Sequence, residues 1–132
     1  MLQPTDFFPN EAWVLFRLND APVRTELHGD FNCFAMMDAA STFILGTTLI
    51  PANQAELTLL DAKRLFKLGA EHKLQAPRTL FVPKDLAAQS VAQEAHRLGV
   101  EMLAISPEEM APFVAEAKAG FKQYQDRRSA GD

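Results

Sequence analysis

The chain has 132 residues, 48% of them hydrophobic and 23% charged, with a formal net charge of −4. That is the size and composition of one soluble globular domain, long enough to bury a core without disulfides or structural metals. The acidic balance speaks against a dedicated nucleic-acid binder, although a local basic patch stays compatible with it.

Ten Phe against one Tyr and one Trp point to aromatics used for packing. The single cysteine, Cys33, lies in an apolar run and leaves no intrachain disulfide to form, which fits a reducing compartment. The stretch Met1–Asp6 has neither the basic segment nor the apolar segment of a secretory leader, and no apolar run reaches the length of a membrane span. The default expectation is a cytoplasmic protein without membrane association.

Residues 1–11 hold Pro4 and Pro9 and read as an N-terminal extension without a regular element. Phe7 and Phe8 within it either pack under the domain or dock on a partner. Residues 12–125 read as one α/β domain. Its first strand is AWVLFRLN, Ala12 to Asn19, broken by Asp20-Ala21-Pro22. Residues 23–29 alternate weakly and either extend the next strand or form a loop.

The strongest stretch is 31–50, FNCFAMMDAASTFILGTTLI. Two apolar runs flank the polar break at 38–42, the pattern of a hairpin of two buried strands. In the first arm Phe34, Met36 and Asp38 share one face, and Cys33, Ala35 and Met37 the other. In the second arm Phe43, Leu45, Thr47 and Leu49 oppose Ile44, Gly46, Thr48 and Ile50. Gly46 in mid-strand signals a bulge or the close approach of another element.

Asn53 followed by Glu56 predicts a capped helix start, with Leu57, Leu60, Leu65 and Leu68 on its stripe to about Leu74. TLFV, Thr79 to Val82, fits an internal parallel strand. Asp85 is expected to cap a second helix to Leu98, with Gly99 as its C′ residue. Residues 100–105 form a last strand. Ser106-Pro107-Glu108-Glu109 is a capping box with proline at the first helical position. Met110, Phe113, Val114, Ala117, Phe121 and Tyr124 then form a three-four stripe, and residues 126–132 read as a flexible tail.

The order is βββαβαβα: a five-stranded mixed α/β sheet with helices on its faces, three antiparallel strands followed by two joined through right-handed crossovers. That order, and the run 34–46, FAMMDAASTFILG, resemble the ribonuclease H-like cores of integrases and transposases. Their second and third strands carry an apolar run, then Asp, two residues, Ser, and a run ending near Gly. The stretch from Pro77 through Gly99-Val100 is similar, too, to bacterial domains of unassigned function with a Pro-x-x-apolar strand, a capped helix and a Gly-Val turn.

The resemblance implies two-metal phosphodiester chemistry, in which carboxylates converge on paired cations. One Asp is then expected inside the first strand and a second at the end of the fourth. Here the first strand has no carboxylate before Asp20. The fourth ends near Pro83, with Asp85 two residues late, and Asp38 does not match a catalytic position. Glu108, Glu109 and Glu116 lie on the last helix without a clear match to the third carboxylate.

Two function classes follow. The first is a non-catalytic ribonuclease H-like domain that associates with itself as a homodimer or with another protein, using Phe7, Phe8 and Trp13, and needing no cofactor or metal. The second is a metal-dependent nuclease or phosphotransferase with a displaced site built from Asp20, Asp38 and Asp85. For Asp38 the simpler reading is a turn residue that bonds nearby N–H groups; for Asp85 it is a helix cap. A small-ligand site in the crevice at the carboxyl ends of the strands is a third idea, with no motif behind it. Lys63, Arg64, Lys67, Arg78 and Lys84 could gather there around an anion, but dispersed solubilising charge is the simpler reading.

Overall fold

Apolar runs rich in aromatic and β-branched residues form the strands, as their fit to a pleated, half-buried surface favours. The computed structural model describes residues 2–131, with side chains through Arg128. In chain order the elements are β1 (Ala12–Arg17), β2 (Val23–Thr25), β3 (Gly29–Asp38), β4 (Ile44–Pro51), α1 (Leu59–Lys73), β5 (Thr79–Pro83), α2 (Gln89–Arg97), β6 (Glu101–Ile105) and α3 (Pro107–Gly131). A short 3₁₀ turn at Pro4–Asp6 precedes them.

The sheet is mixed. β3 is antiparallel to β1, β2 and β4, whereas β1, β5 and β6 run parallel. The expected architecture is present, with six strands rather than five. The added strand is β2, in the stretch where the sequence alternates weakly. Phe31 on β3 is flanked by Val23 of β2 and Pro51 of β4, so β2 lies on the β1 side of β3, past the end of β1. Between them the buried Asn19 takes over the ladder. Its Oδ1 accepts from the Cys33 N–H at 2.7 Å, and its Nδ2 donates to Ala21 O and Asn32 Oδ1.

Alternation sends the strand side chains into two cores. Trp13, Leu15, Phe34, Met36, Leu80 and Val82 face α1 and α2. Val14, Phe16, Cys33, Ala35, Met37 and Phe81 face α3. The expected split of β3 is therefore found. On β4 it is not: Leu45 joins Ile50 on the α1 face, while Ile44 joins the α3 face. The reason is a bulge, with Met36 opposite Gly46 but Met37 opposite Ile44, which shifts the alternation by one residue. Gly46 also meets α1. A Cβ there would lie 2.7 Å from the Leu68 Cβ.

Helix α1 begins five residues later than Asn53 would place it. Thr58 is the N-cap, its side chain accepting from the Asp61 N–H at 3.1 Å, while the Asp61 carboxylate accepts from the Thr58 N–H at 2.9 Å. Leu57, just before the cap, and Ala62, at the fourth helical position, are both buried, completing a hydrophobic staple. The buried stripe is Ala62, Leu65, Phe66 and Gly69; Leu60, expected inside, is 77% exposed.

Helix α2 starts at Gln89 after Ala88, so Asp85 does not cap it. Instead the Leu86 N–H donates to Pro83 O at 3.1 Å, which closes a turn after β5. Gly99 does adopt the positive φ, +73°, expected after the helix. Glu94 of α2 is buried and pairs with the exposed Arg97 on the same helix; its Oε2 has no hydrogen-bond partner.

The capping box at Ser106 forms as expected, with Glu109 N–H to Ser106 Oγ at 3.2 Å and Ser106 N–H to Glu109 Oε1 at 3.1 Å. The Ser106 backbone N–H, which donates to it, and then the Ser106 hydroxyl hold the Glu109 carboxyl below the usual carboxylate range. Helical backbone continues past residue 125, where the sequence ends the packed domain, through Gly131.

The turn at 38–42 is built by Asp38. This carboxylate is fully buried and accepts three hydrogen bonds: from Asn10 N–H at 2.8 Å, Ser41 N–H at 3.0 Å and Ser41 O–H at 2.7 Å. Asp38→Ala should remove the acceptor of three part-buried hydrogen bonds and leave a gap at a fully buried position, destabilising the domain by about 1–3 kcal/mol, read from urea or thermal unfolding. Gly69→Ala tests the sheet–helix contact. Its Cβ would come 2.5 Å from the ring of the fully buried Trp13. Overpacking of this kind should cost about 1–3 kcal/mol in the same measurement, and an unchanged midpoint would show that α1 can move away freely.

Candidate functional site

The ladder between β1 and β5 runs only from Ala12–Thr79 to Val14–Phe81. Beyond it the carboxyl ends of the two strands splay apart. From β1 the chain continues to β3 and β4 on one side; from β5 it continues to β6 on the other. A parallel pair whose connections leave in opposite directions makes a crevice outside its carboxyl ends.

Here that crevice is a cleft of about 600 Å³, roofed by one side of α3. Phe16, Phe34 and Leu86 line it from the sheet side, and Met110 and Val114 from the helix. Ala111, Ala115 and Ala119 follow at four-residue spacing along α3 and keep it open.

The two ends of the cleft differ in charge. Asp85 lies near the start of α3, where Pro83 pairs with Ile105 and the Lys84 N–H donates to Ile105 O at 2.9 Å. Asp20, just past β1, lies at the other end, where Lys118 Nζ approaches its Oδ1 to 2.8 Å. Arg17 and Lys122 line the same cleft. Hydrogen bonding to Lys118 holds the Asp20 carboxyl below the usual carboxylate range, and the charges of Lys118, Arg17 and Lys122 act in the same direction. Three cations against two carboxylates leave the lining at +1, in a chain whose total is −4.

Of the three candidate carboxylates, the structure brings two to one cleft. Asp20 and Asp85 line it; Asp38 does not. Asp38 pairs with Trp13, at the opposite end of β1 from Arg17. Four residues at strand rise separate those positions by about 13 Å. Among the described residues, no group of three or more His, Cys, Asp or Glu is placed to hold a metal ion. The donor set does not fit paired cations either: one carboxylate is already bound by a lysine, and two further cations stand around it.

The candidate interface residues also separate. Trp13 is fully buried against Phe66, with ring centroids 6.1 Å apart, because β1 is a central strand. Phe7 packs on Phe81 and Phe113 at 5.7 and 5.9 Å between ring centroids. Trp13 is thereby removed from a partner surface and Phe7 is half-buried, whereas Phe8 is 79% exposed. Cys33 is buried, and burial pushes its thiol up, as befits a packing residue rather than a nucleophile.

The cations that line the cleft are not the five singled out from the sequence. Lys63, Arg64, Lys67, Arg78 and Lys84 are absent from its lining. Arg17 could have been found as the lone cation within an otherwise apolar strand. Lys118 and Lys122 could have been found by their i, i+4 spacing beside the apolar stripe of the last helix.

No protein-family model and no curated protein matches the chain. Solved structures do. A chain of the simian T-cell lymphotropic virus intasome, solved in complex with the PP2A regulatory subunit B56 gamma, is 15% identical with a TM-score of 0.60; the alignment covers 89% of this chain and 42% of that one. The catalytic domain of Mos1 mariner transposase is 11% identical with a TM-score of 0.60, over 89% of this chain and 61% of that one. The HTLV-2 integrase catalytic core, solved with magnesium in a dimeric form, is 11% identical with a TM-score of 0.54, over 76% of this chain and 63% of that one. The chain thus spans less than two thirds of each of these three. At such identities the likeness concerns the fold, and the fold is ribonuclease H-like, as in integrase and transposase cores.

Proposed function

We propose that this chain is a non-catalytic ribonuclease H-like domain that acts by binding, either to a second copy of itself or to another protein. The observation that carries the reading is the lysine on Asp20. Two-metal chemistry needs carboxylates free to converge on cations. At the crevice where β1 and β5 part, Lys118 holds Asp20 at 2.8 Å, with Arg17 and Lys122 nearby. A cation entering there would meet three fixed positive charges.

Association has surface to use. The edge strands β4 and β6 each pair on one side only, and each exposes a leucine, Leu49 at 56% and Leu103 at 43%. Phe8 adds a third apolar residue. Of the similar structures, one is in a dimeric form and one is an assembly in complex with a PP2A regulatory subunit, which supports association as a reading for this chain.

The direct test is cleavage of labelled single- and double-stranded DNA and RNA in Mg²⁺ or Mn²⁺, beside sedimentation velocity over a range of protein concentrations. The expected result is no metal-dependent cleavage and a concentration-dependent dimer. Metal-dependent cleavage that disappears in Asp20→Asn or Asp85→Asn would overturn the reading.

The Asp20–Lys118 pair can be tested on its own. In Lys118→Ala, the Asp20 carboxyl should titrate closer to the ordinary value of about 3.9, as followed by carboxyl ¹³C shifts. The native Asp20 value is depressed, so the pair stabilises the fold above the ordinary aspartate range. That contribution fades as pH falls through the depressed value. Because Asp20 is largely exposed, water screens the pair and the loss in Lys118→Ala should stay below about 1 kcal/mol.

A further inference from the structure

We propose that the cleft between α3 and the splayed ends of β1 and β5 binds a small amphipathic anion, an alkyl or aryl body ending in one carboxylate. This rests on reading the cleft as a binding site without metal chemistry, and adds the class of ligand it takes. Its volume, about 600 Å³, falls within the range of small-molecule pockets. From Pro107 to Lys122 the helical wall is about 22 Å long at helical rise, so the space is a groove rather than a sphere.

The groove is polarised along that length. At one end Arg17, Lys118 and Lys122 surround a single carboxylate, Asp20. Counting the three cations against Asp20 gives a local charge of +2. At the other end Asp85 is the only charged residue in the lining among the described residues, and it repels an anionic head from that side. Between them lie Phe16, Phe34, Leu86, Met110 and Val114, which have no polar side-chain atom to offer. An anionic head therefore belongs among the cations, and an apolar body along the middle of the groove.

The cations are also partly free. Arg17 spends its Nε on Asn19 O at 2.9 Å, which steadies the guanidinium while its terminal nitrogens can still donate in a fork. Lys122 forms no ion pair among the described residues. Charge-assisted hydrogen bonds from these groups to a carboxylate are stronger than neutral ones, and the apolar lining alone would not supply that selectivity.

The probes are octanoate, octan-1-ol and inorganic phosphate, titrated into ¹⁵N-labelled protein and read as amide shifts. Octanoate is expected to shift residues around Phe16, Leu86, Met110 and Lys122 and to bind about tenfold more tightly than octan-1-ol. Phosphate, a head without a body, is expected to bind more weakly than octanoate. The double variant Arg17→Ala, Lys122→Ala removes two exposed side chains and should erase the preference for octanoate over octan-1-ol. Ala115→Trp, at an exposed position on the cleft wall, should block both ligands; thermal melting confirms that each variant is folded.

Equal affinity for octanoate and octan-1-ol overturns the inference. So does a preference that survives loss of Arg17 and Lys122, or shifts that map outside the cleft. Mn²⁺ is added as a paramagnetic probe in a separate arm. Broadening of the cleft amides by Mn²⁺ would overturn the non-catalytic reading itself. No broadening and no octanoate binding would remove the ligand and leave that reading standing.

Discussion

The fold depends on how Trp13 is buried. A fully buried indole contributes a large apolar area, but its N–H must find an acceptor. Asn10 provides one, with its Oδ1 2.7 Å from Trp13 Nε1. To reach back from three residues upstream, Asn10 adopts φ +65°, a left-handed conformation that asparagine tolerates better than most residues. Its own N–H is then held by Asp38, which also holds the β3–β4 turn through Ser41. One short chain of bonds thus links the lead-in segment, the central strand and the hairpin. On the other side of the ring, Gly69 lets α1 come down onto the sheet where any side chain would collide.

This network explains which parts of the fold were legible. The element order was readable because each long element carries its own periodicity, and the Ser106–Glu109 box because its residues are local. A local signal alone can misplace a boundary. Asn53-x-x-Glu56 reads as a capping box, yet α1 is capped by Thr58 and Asp61, and that start buries Leu57 and Ala62 together. Residues 23–25 carry too little pattern to read as a separate strand, and β2 stays in place through pairing with β3 and a Thr25 O–H bond to Gly29 O at 2.7 Å. Trp13, a candidate interface residue by sequence, is fully buried because its position in the sheet is non-local. Nothing in AWVLFRLN says that β3 and β5 will flank it on both sides.

The cleft was legible only as a location. A crevice at the carboxyl ends of parallel strands follows from topology, and topology followed from element order. Its charge did not, because it comes from distant segments: Arg17 and Asp20 from the end of β1, and Lys118 and Lys122 from α3, about a hundred residues later. Asp85 illustrates the same limit from the other side. Its sequence context, followed by an apolar stripe, is that of a helix cap, yet the chain turns once more before α2 and leaves the carboxylate at the mouth of the cleft.

The chemical character of such a crevice is set by what the last helix brings to it. One side of α3 packs Met110, Phe113 and Val114 onto the sheet. The adjoining side presents alanines and, one turn apart, Lys118 and Lys122. Acidic residues at those two positions would complete a carboxylate cluster with Asp20 and favour cations. Lysines there reverse the sign of the field without disturbing the fold, because both sit beyond the buried stripe and their long stems reach the strand ends from the rim. A carboxylate at the end of β1 then serves to fix a lysine rather than to coordinate a metal. The same backbone can therefore host opposite electrostatics, and on this chain the choice rests with side chains that the packing of the core leaves free.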